Sequence, residues 1–154
     1  MRDFNQADRK KKTSRIQVRE NPANLSKEKL SELESKVKES LKEGYLACPV
    51  AWKIAKDEGV PKIAVGEIAD RLGIRVTDCQ LGCFKVEKMV YDNPDHKPID
   101  SKIVTELEKL IERNELTCPK VFELARKYKV KPLDIANEVS ARGLKFLECQ
   151  LGCF

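Results

Sequence analysis

The hexapeptide Cys-Gln-Leu-Gly-Cys-Phe occurs twice in this sequence, at residues 79–84 and again at residues 149–154. The two copies are 70 residues apart, and the same offset relates Cys48 to Cys118. Repetition at a fixed interval is typical of chains built from similar structural units. The sequence therefore predicts two related modules, each with three cysteines at matching positions.

Both repeats open with an apolar stripe at helical spacing. Ser26 and Asp100 precede these stripes and are suited to cap a helix N-terminus. Gly44 is expected to end the first helix. The stripes consist of Leu30, Leu33, Val37 and Leu41 in the first repeat and of Ile103, Val104, Leu107, Leu110 and Ile111 in the second.

Two further helices are predicted in each repeat. Proline is favoured in the first turn of a helix, so the Cys-Pro dipeptides at Cys48 and Cys118 predict a second helix with cysteine as its N-cap. A third, shorter helix is predicted at about residues 63–72 and 132–142. A short extended segment then leads into the first cysteine of each hexapeptide.

The middle of each repeat resembles a helix-turn-helix. In the first repeat Ala55 stands where this motif has its tightly packed alanine, Gly59 is the turn glycine and Val65 seats the next helix. The corresponding residues of the second repeat are Ala125, Lys129 and Ile135. The resemblance covers about 20 residues per repeat and implies that the third helix would enter a DNA groove.

The polar residues of this third helix carry net negative charge in both repeats. They are Glu67, Asp70 and Arg71 in the first repeat and Asp134, Asn137, Glu138 and Arg142 in the second. Phosphates repel such a surface, so we do not expect these helices to bind a nucleic acid.

These patterns predict a mainly α-helical protein with two tandem three-helix modules of helix-turn-helix-like form. Each module is expected to end in a short extended segment and a Cys-x3-Cys turn. Module 1 is predicted at residues 25–84 and module 2 at residues 100–154, with a linker at 85–99 that holds the single histidine, His96. Residues 1–24 are polar and without periodicity, which predicts a disordered basic arm.

Positive charge is concentrated in this arm. Residues 1–20 hold seven Lys or Arg and three acidic residues, against a net charge of +5 for the whole chain. The basic cluster consists of Arg9, Lys10, Lys11, Lys12 and Arg15. Such a cluster is suited to a nucleic-acid backbone or to an acidic protein partner, and a solvated tail is the alternative.

Sulfur chemistry is the main functional prediction. The candidate residues are Cys48, Cys79, Cys83, Cys118, Cys149 and Cys153. No apolar run reaches the ~20 residues of a membrane span, and the first residues lack the apolar core of a signal peptide. A cytoplasmic location without membrane contact is therefore expected, where clustered cysteines indicate metal ligands or redox groups before structural disulfides.

Three interpretations of the cysteines stay open. One is a thiolate site for an iron–sulfur cluster or zinc, formed within each repeat or by cysteines of both repeats. Another is a reversible disulfide within each repeat, in which a thiol at a helix N-terminus would be the reactive one. The last is that the cysteines are buried packing residues.

The predicted function is that of a small non-enzymatic sensor or regulator with such a site in each repeat. The sequence shows no phosphate-binding loop and no catalytic triad motif, and a single histidine offers no obvious base for cysteine catalysis. Two alternatives are a nucleic-acid-binding protein that uses its basic arm, and an accessory subunit that docks on a larger metalloenzyme.

Overall fold

The computed structural model describes residues 6–7, 18–83 and 98–154. This part of the chain is mainly helical, which confirms the predicted fold class. In chain order its elements are α1 (Lys27–Glu39), β1 (Tyr45–Ala47), α2 (Cys48–Asp57), α3 (Lys62–Leu72), β2 (Arg75–Thr77), α4 (Ser101–Glu112), α5 (Cys118–Tyr128) and α6 (Pro132–Ala141). The basic cluster of the arm, His96 with most of the linker, and Phe84 lie outside the described residues.

The described residues form two compact units. Unit 1 contains those up to Cys79 together with Gln150–Phe154, and unit 2 contains those from Gln80 to Cys149. Five residues of the second hexapeptide therefore belong to the unit of the first repeat, and residues 80–83 of the first hexapeptide belong to unit 2. Comparison of the two repeats had assigned each hexapeptide to its own module.

Helix α1 of unit 1 begins at the predicted cap. The hydroxyl of Ser26 accepts a hydrogen bond from the backbone N–H of Lys29 at 3.2 Å. The helix ends before Gly44, which does not stop it as predicted. Gly44 instead has a φ of +82° in the turn where the backbones of Lys42 and Tyr45 pair. This turn leads the chain directly into β1.

A small parallel sheet joins the segment before α2 to the segment after α3. Strands β1 and β2 are in register with Leu46 opposite Val76 and Ala47 opposite Thr77. Helices α2 and α3 pack on each other and on α1. Gly73 ends α3 with a φ of +71°, as its position predicts. Unit 1 therefore combines three helices with a two-stranded sheet.

Unit 2 repeats this plan with two backbone hydrogen bonds in the place of the sheet. The N–H of Leu147 donates to the carbonyl of Leu116 at 3.0 Å, and the N–H of Cys118 donates to the carbonyl of Glu148 at 2.9 Å. Asp100 caps α4 as predicted, because its carboxylate accepts from Lys102 N–H. Helix α5 packs on α4 and α6.

The cores of the two units use matching positions of the repeat. Eight buried apolar residues of unit 1 have a buried apolar counterpart 70 residues later in unit 2, whereas buried Ala64 and Ile68 have half-buried Asp134 and Glu138 there. In unit 1 the eight residues are Leu33, Val37, Leu46, Ala51, Ile54, Ala55, Val65 and Ala69, and in unit 2 they are Ile103, Leu107, Leu116, Val121, Leu124, Ala125, Ile135 and Val139. Apolar side chains of similar volume replace one another, as close-packed cores tolerate.

Candidate thiol sites

Two cysteines of unit 1 lie at the same end of its parallel sheet. Cys48 directly follows β1, and Cys79 comes two residues after β2. The strands run in the same direction with Ala47 opposite Thr77, so both chains leave the sheet side by side. Both thiols are shielded, with 6% of Cys48 and 8% of Cys79 exposed. The fold of unit 1 therefore brings these two residues into one buried region.

Unit 2 brings Cys118 and Cys149 together in the same way. The backbone N–H of Cys118 donates to the carbonyl of Glu148, and Cys149 is the next residue of the chain. Cys118 is buried, whereas Cys149 is half-buried. The neighbouring arrangement of these two cysteines is thus present in both units.

The remaining cysteine of each hexapeptide belongs to the unit of the other repeat. Cys83 is exposed and lies in unit 2, and Cys153 is half-buried and lies in unit 1. Each unit therefore contains three cysteines, two from its own repeat and one from the other. The sequence comparison assigned all three to the same repeat and did not anticipate this exchange.

All six cysteines are among the described residues and have their thiol form. Within the described part of the chain, no three His, Cys, Asp or Glu side chains form a group that could hold a metal ion. The iron–sulfur cluster or zinc ion therefore stays a prediction. The carboxylate of Asp78, next to Cys79, accepts a hydrogen bond from the Thr77 hydroxyl at 3.2 Å.

Cys48 and Cys118 occupy the first helical position, one residue later than the predicted N-cap. The N-caps are Ala47 and Thr117, and neither of them caps its helix with a side-chain hydrogen bond. The first turns of α2 and α5 also hold no acidic residue. Backbone N–H groups at a helix start attract negative charge, and the burial of both residues opposes this effect.

The helix that would read DNA is largely enclosed in unit 1. Six consecutive residues of α3, from Ala64 to Ala69, are buried. The guanidinium of Arg71 lies 3.4 Å from Glu34 and 3.6 Å from Glu67. A groove-reading helix needs an exposed polar face. These contacts add to the unfavourable charge of α3, so the prediction of nucleic-acid binding does not extend to this helix.

Sequence reasoning missed the residues on which the second hexapeptide is seated. They are Lys62, Ile63 and Gly66 of α3, which contact Gln150, Leu151 and Gly152. One signal was available, since a glycine inside a helical pattern often marks the close approach of another backbone.

No helix in the described residues combines the length and the hydrophobicity that crossing a membrane requires. No protein-family model, no curated protein and no solved structure matches this chain.

Proposed function

We propose that this chain is a small non-enzymatic regulator with a thiol site in each of its two units. The observation that carries the proposal is the placement of Cys48 and Cys79 at one end of a parallel sheet, with Cys118 and Cys149 placed alike in unit 2. A regulator of this kind responds to oxidants or to thiophilic metal ions. It acts in the reducing cytoplasm, where its thiols are maintained.

The strand geometry suits chemistry that joins two sulfur atoms. A disulfide requires Cα atoms separated by roughly 4.4–6.8 Å, and Cys48 and Cys79 follow the paired residues Ala47 and Thr77 by one and two positions. The same proximity suits two thiolates that share one metal ion.

The third cysteine of each unit extends this chemistry. Cys153 in unit 1 and Cys83 in unit 2 are the accessible members of the two sets. A three-thiolate set for an iron–sulfur cluster or zinc would have to gather around this cysteine on metal binding, because no three ligand side chains form such a group in the described residues. During reduction, Cys153 is equally suited to attack a Cys48–Cys79 disulfide, and Cys83 a Cys118–Cys149 disulfide.

Oxidation of one pair is a two-electron step. Oxidised glutathione accepts two electrons as the Sγ atoms of Cys48 and Cys79 become bonded. The two thiol protons and these electrons leave with two molecules of reduced glutathione. The same balance holds for Cys118 and Cys149.

The test uses the full chain, purified and handled without air. Metal and sulfide content, the visible absorption spectrum and a thiol titration are recorded before and after treatment with oxidised glutathione. Mass spectrometry of proteolytic fragments then identifies the linked cysteines. We expect a metal or cluster that is lost in the variants Cys48→Ser and Cys118→Ser, or disulfides within the pairs Cys48–Cys79 and Cys118–Cys149.

The variant Cys83→Ser distinguishes the two forms of the proposal. A three-thiolate centre in unit 2 loses its metal in this variant, whereas a disulfide between Cys118 and Cys149 still forms. A folded, metal-free protein in which oxidation links no pair within a unit contradicts the proposal.

A second candidate function, nucleic-acid binding, is favoured by the charge of residues 1–20. It predicts an affinity that falls steeply with salt concentration. Each Lys or Arg that is replaced should reduce the slope of log affinity against log salt concentration by about 0.9. Replacement of Arg9, Lys10, Lys11, Lys12 and Arg15 by glutamine is the corresponding test. The accessory-subunit alternative instead predicts a stoichiometric protein partner that is retained when the cysteines are replaced.

A further inference from the structure

The second hexapeptide is seated on α3 of unit 1 by backbone-to-helix contact. Leu151 is 1% exposed. A Cβ atom at Gly66 would stand 1.9 Å from the carbonyl oxygen of Leu151. A Cβ atom at Gly152 would stand 2.7 Å from Ile63 and 3.0 Å from Val18. Gly66 is therefore required by a backbone contact, whereas Gly152 is favoured by its φ of +67°.

A polar contact fixes the residue before this leucine. The ammonium of Lys62 donates to the side-chain oxygen of Gln150 at 2.8 Å. The same ammonium lies 4.1 Å from the centroid of the Trp52 ring, within cation–π range. Lys62, Ile63 and Gly66 form a surface that we call the α3 seat. This surface contacts Gln150, Leu151 and Gly152.

The segment in the α3 seat belongs to the other repeat. Gln150–Phe154 is part of unit 1, while Cys149 is part of unit 2. The corresponding Leu81 of the first hexapeptide is buried and is part of unit 2. The α3 seat therefore recognises the Gln-Leu-Gly sequence without requiring that it come from the adjacent part of the chain.

We propose that the α3 seat also binds Gln150–Gly152 of a second copy of this chain, so that two copies exchange this segment. The contacts in such a dimer are those already present within one chain, because the exchanged segment is identical. Within one chain the tethered segment has the advantage of a high effective concentration. The exchanged form is therefore populated when docking within the chain is prevented or when the protein is concentrated.

The test combines two full-length variants with complementary defects. Leu151→Asp leaves the α3 seat intact but removes the apolar side chain of the segment. Gly66→Ala leaves the segment intact but fills the point where the Leu151 carbonyl lies. We expect each variant alone to be monomeric and an equimolar mixture to give a dimer of doubled molar mass in light scattering. A mixture of Leu151→Asp with the double variant carrying both changes is the matched control and should remain monomeric.

The fluorescence of Trp52, the single tryptophan of the chain, gives a second readout because Lys62 links its ring to Gln150. Its emission should shift on mixing and remain unchanged in the control. If either variant is unfolded alone, the mixture is expected to gain helix in circular dichroism as the segment is supplied by the other chain. A mixture that keeps the mass of single chains and gains no helix overturns the proposal.

Discussion

Lys129 has the same left-handed backbone conformation as Gly59, the residue 70 positions before it in the first repeat. Their φ angles are +53° and +63°. The turn of the helix-turn-helix resemblance is thus kept in both repeats, although the second repeat lacks the glycine that the motif prefers. A side chain in this conformation is strained, because its Cβ is too close to the following carbonyl oxygen.

Lys129→Gly is therefore expected to stabilise the protein by about 0.5–1 kcal/mol, since glycine relieves strain of about 1–2 kcal/mol but loses more chain entropy on folding. Urea denaturation measures the change. Gly59→Ala is the matched variant and should destabilise by about 1 kcal/mol. No atom lies within 4 Å of a Cβ at Gly59, so packing cannot cause this loss. Changes of the same sign in both variants would contradict the interpretation.

Gly66→Ala is expected to destabilise unit 1 by about 1–3 kcal/mol because the added methyl group overpacks the contact with Leu151. This loss runs against helix propensity, which favours alanine over glycine by about 1 kcal/mol. Thermal denaturation checks the prediction. Ala136→Gly, at the equivalent and also buried position of unit 2, should cost about 1–2 kcal/mol through lower helix propensity and the loss of a buried methyl group. A stabilised Gly66→Ala variant would mean that Leu151 moves away at no cost.

The six thiols should react with an alkylating reagent in the order of their exposure. Exposed Cys83 should be modified first, and half-buried Cys149 and Cys153 should follow. The buried thiols of Cys48, Cys79 and Cys118 should be modified last. Timed treatment of the reduced protein with N-ethylmaleimide and mass spectrometry of its peptides give the order. In denaturant all six thiols should react at similar rates. If the order seen in the folded protein persists in denaturant, burial does not determine the reactivity of these thiols.

Glu67 should make the protein less stable as the pH rises through the acidic range. Burial raises the pKa of Glu67 above its ordinary value of 4.5, with a smaller opposing effect from Arg71. The negative charges of Glu20 and Asp70 raise this pKa further. The folded protein therefore holds the proton more tightly than the unfolded chain. The resulting stability is complete below the ordinary pKa and is lost as the pH rises through the pKa of the folded state.

Glu67→Gln is accordingly expected to stabilise the protein by about 1 kcal/mol or less at neutral pH and to have little effect below pH ~4. Urea denaturation across this pH range provides the measurement. Glu34→Gln is the control of opposite sign, because a hydrogen bond from Lys38 lowers the pKa of Glu34. Its loss of stability should be present at neutral pH and disappear on acidification. A gain for Glu67→Gln that is equal at both pH values would argue against burial of the charge.

The local structure of the repeats was predictable because it depends on neighbouring residues. Ser26 and Asp100 cap their helices through side-chain acceptors that the sequence displays directly. Helical spacing likewise identified Leu33 and Leu107, which are fully buried. The end of α1 was misplaced because Gly44 is suited both to a helix end and to the turn that it occupies.

The seating of the second hexapeptide was not predictable from the repeat. The six residues of the hexapeptide are too few to show a period. No local pattern therefore indicates which helix covers Leu151. Gly66 carried the missing information, since its position in α3 is explained by the backbone of Leu151. The placement of Cys48 and Cys79 at the same end of the sheet depends on the parallel pairing of β1 and β2, which two three-residue strands do not reveal in advance.

The membership of Gln150–Phe154 in unit 1 also orders events during synthesis of the protein. A ribosome completes the three helices of the first repeat long before it adds Leu151, so α3 emerges with its glycine surface uncovered. Contacts between residues so distant in sequence slow folding, because a long loop must close first. Unit 1 therefore matures only after unit 2 has been translated, and the nascent chain leaves the contact surface of Lys62, Ile63 and Gly66 uncovered until then.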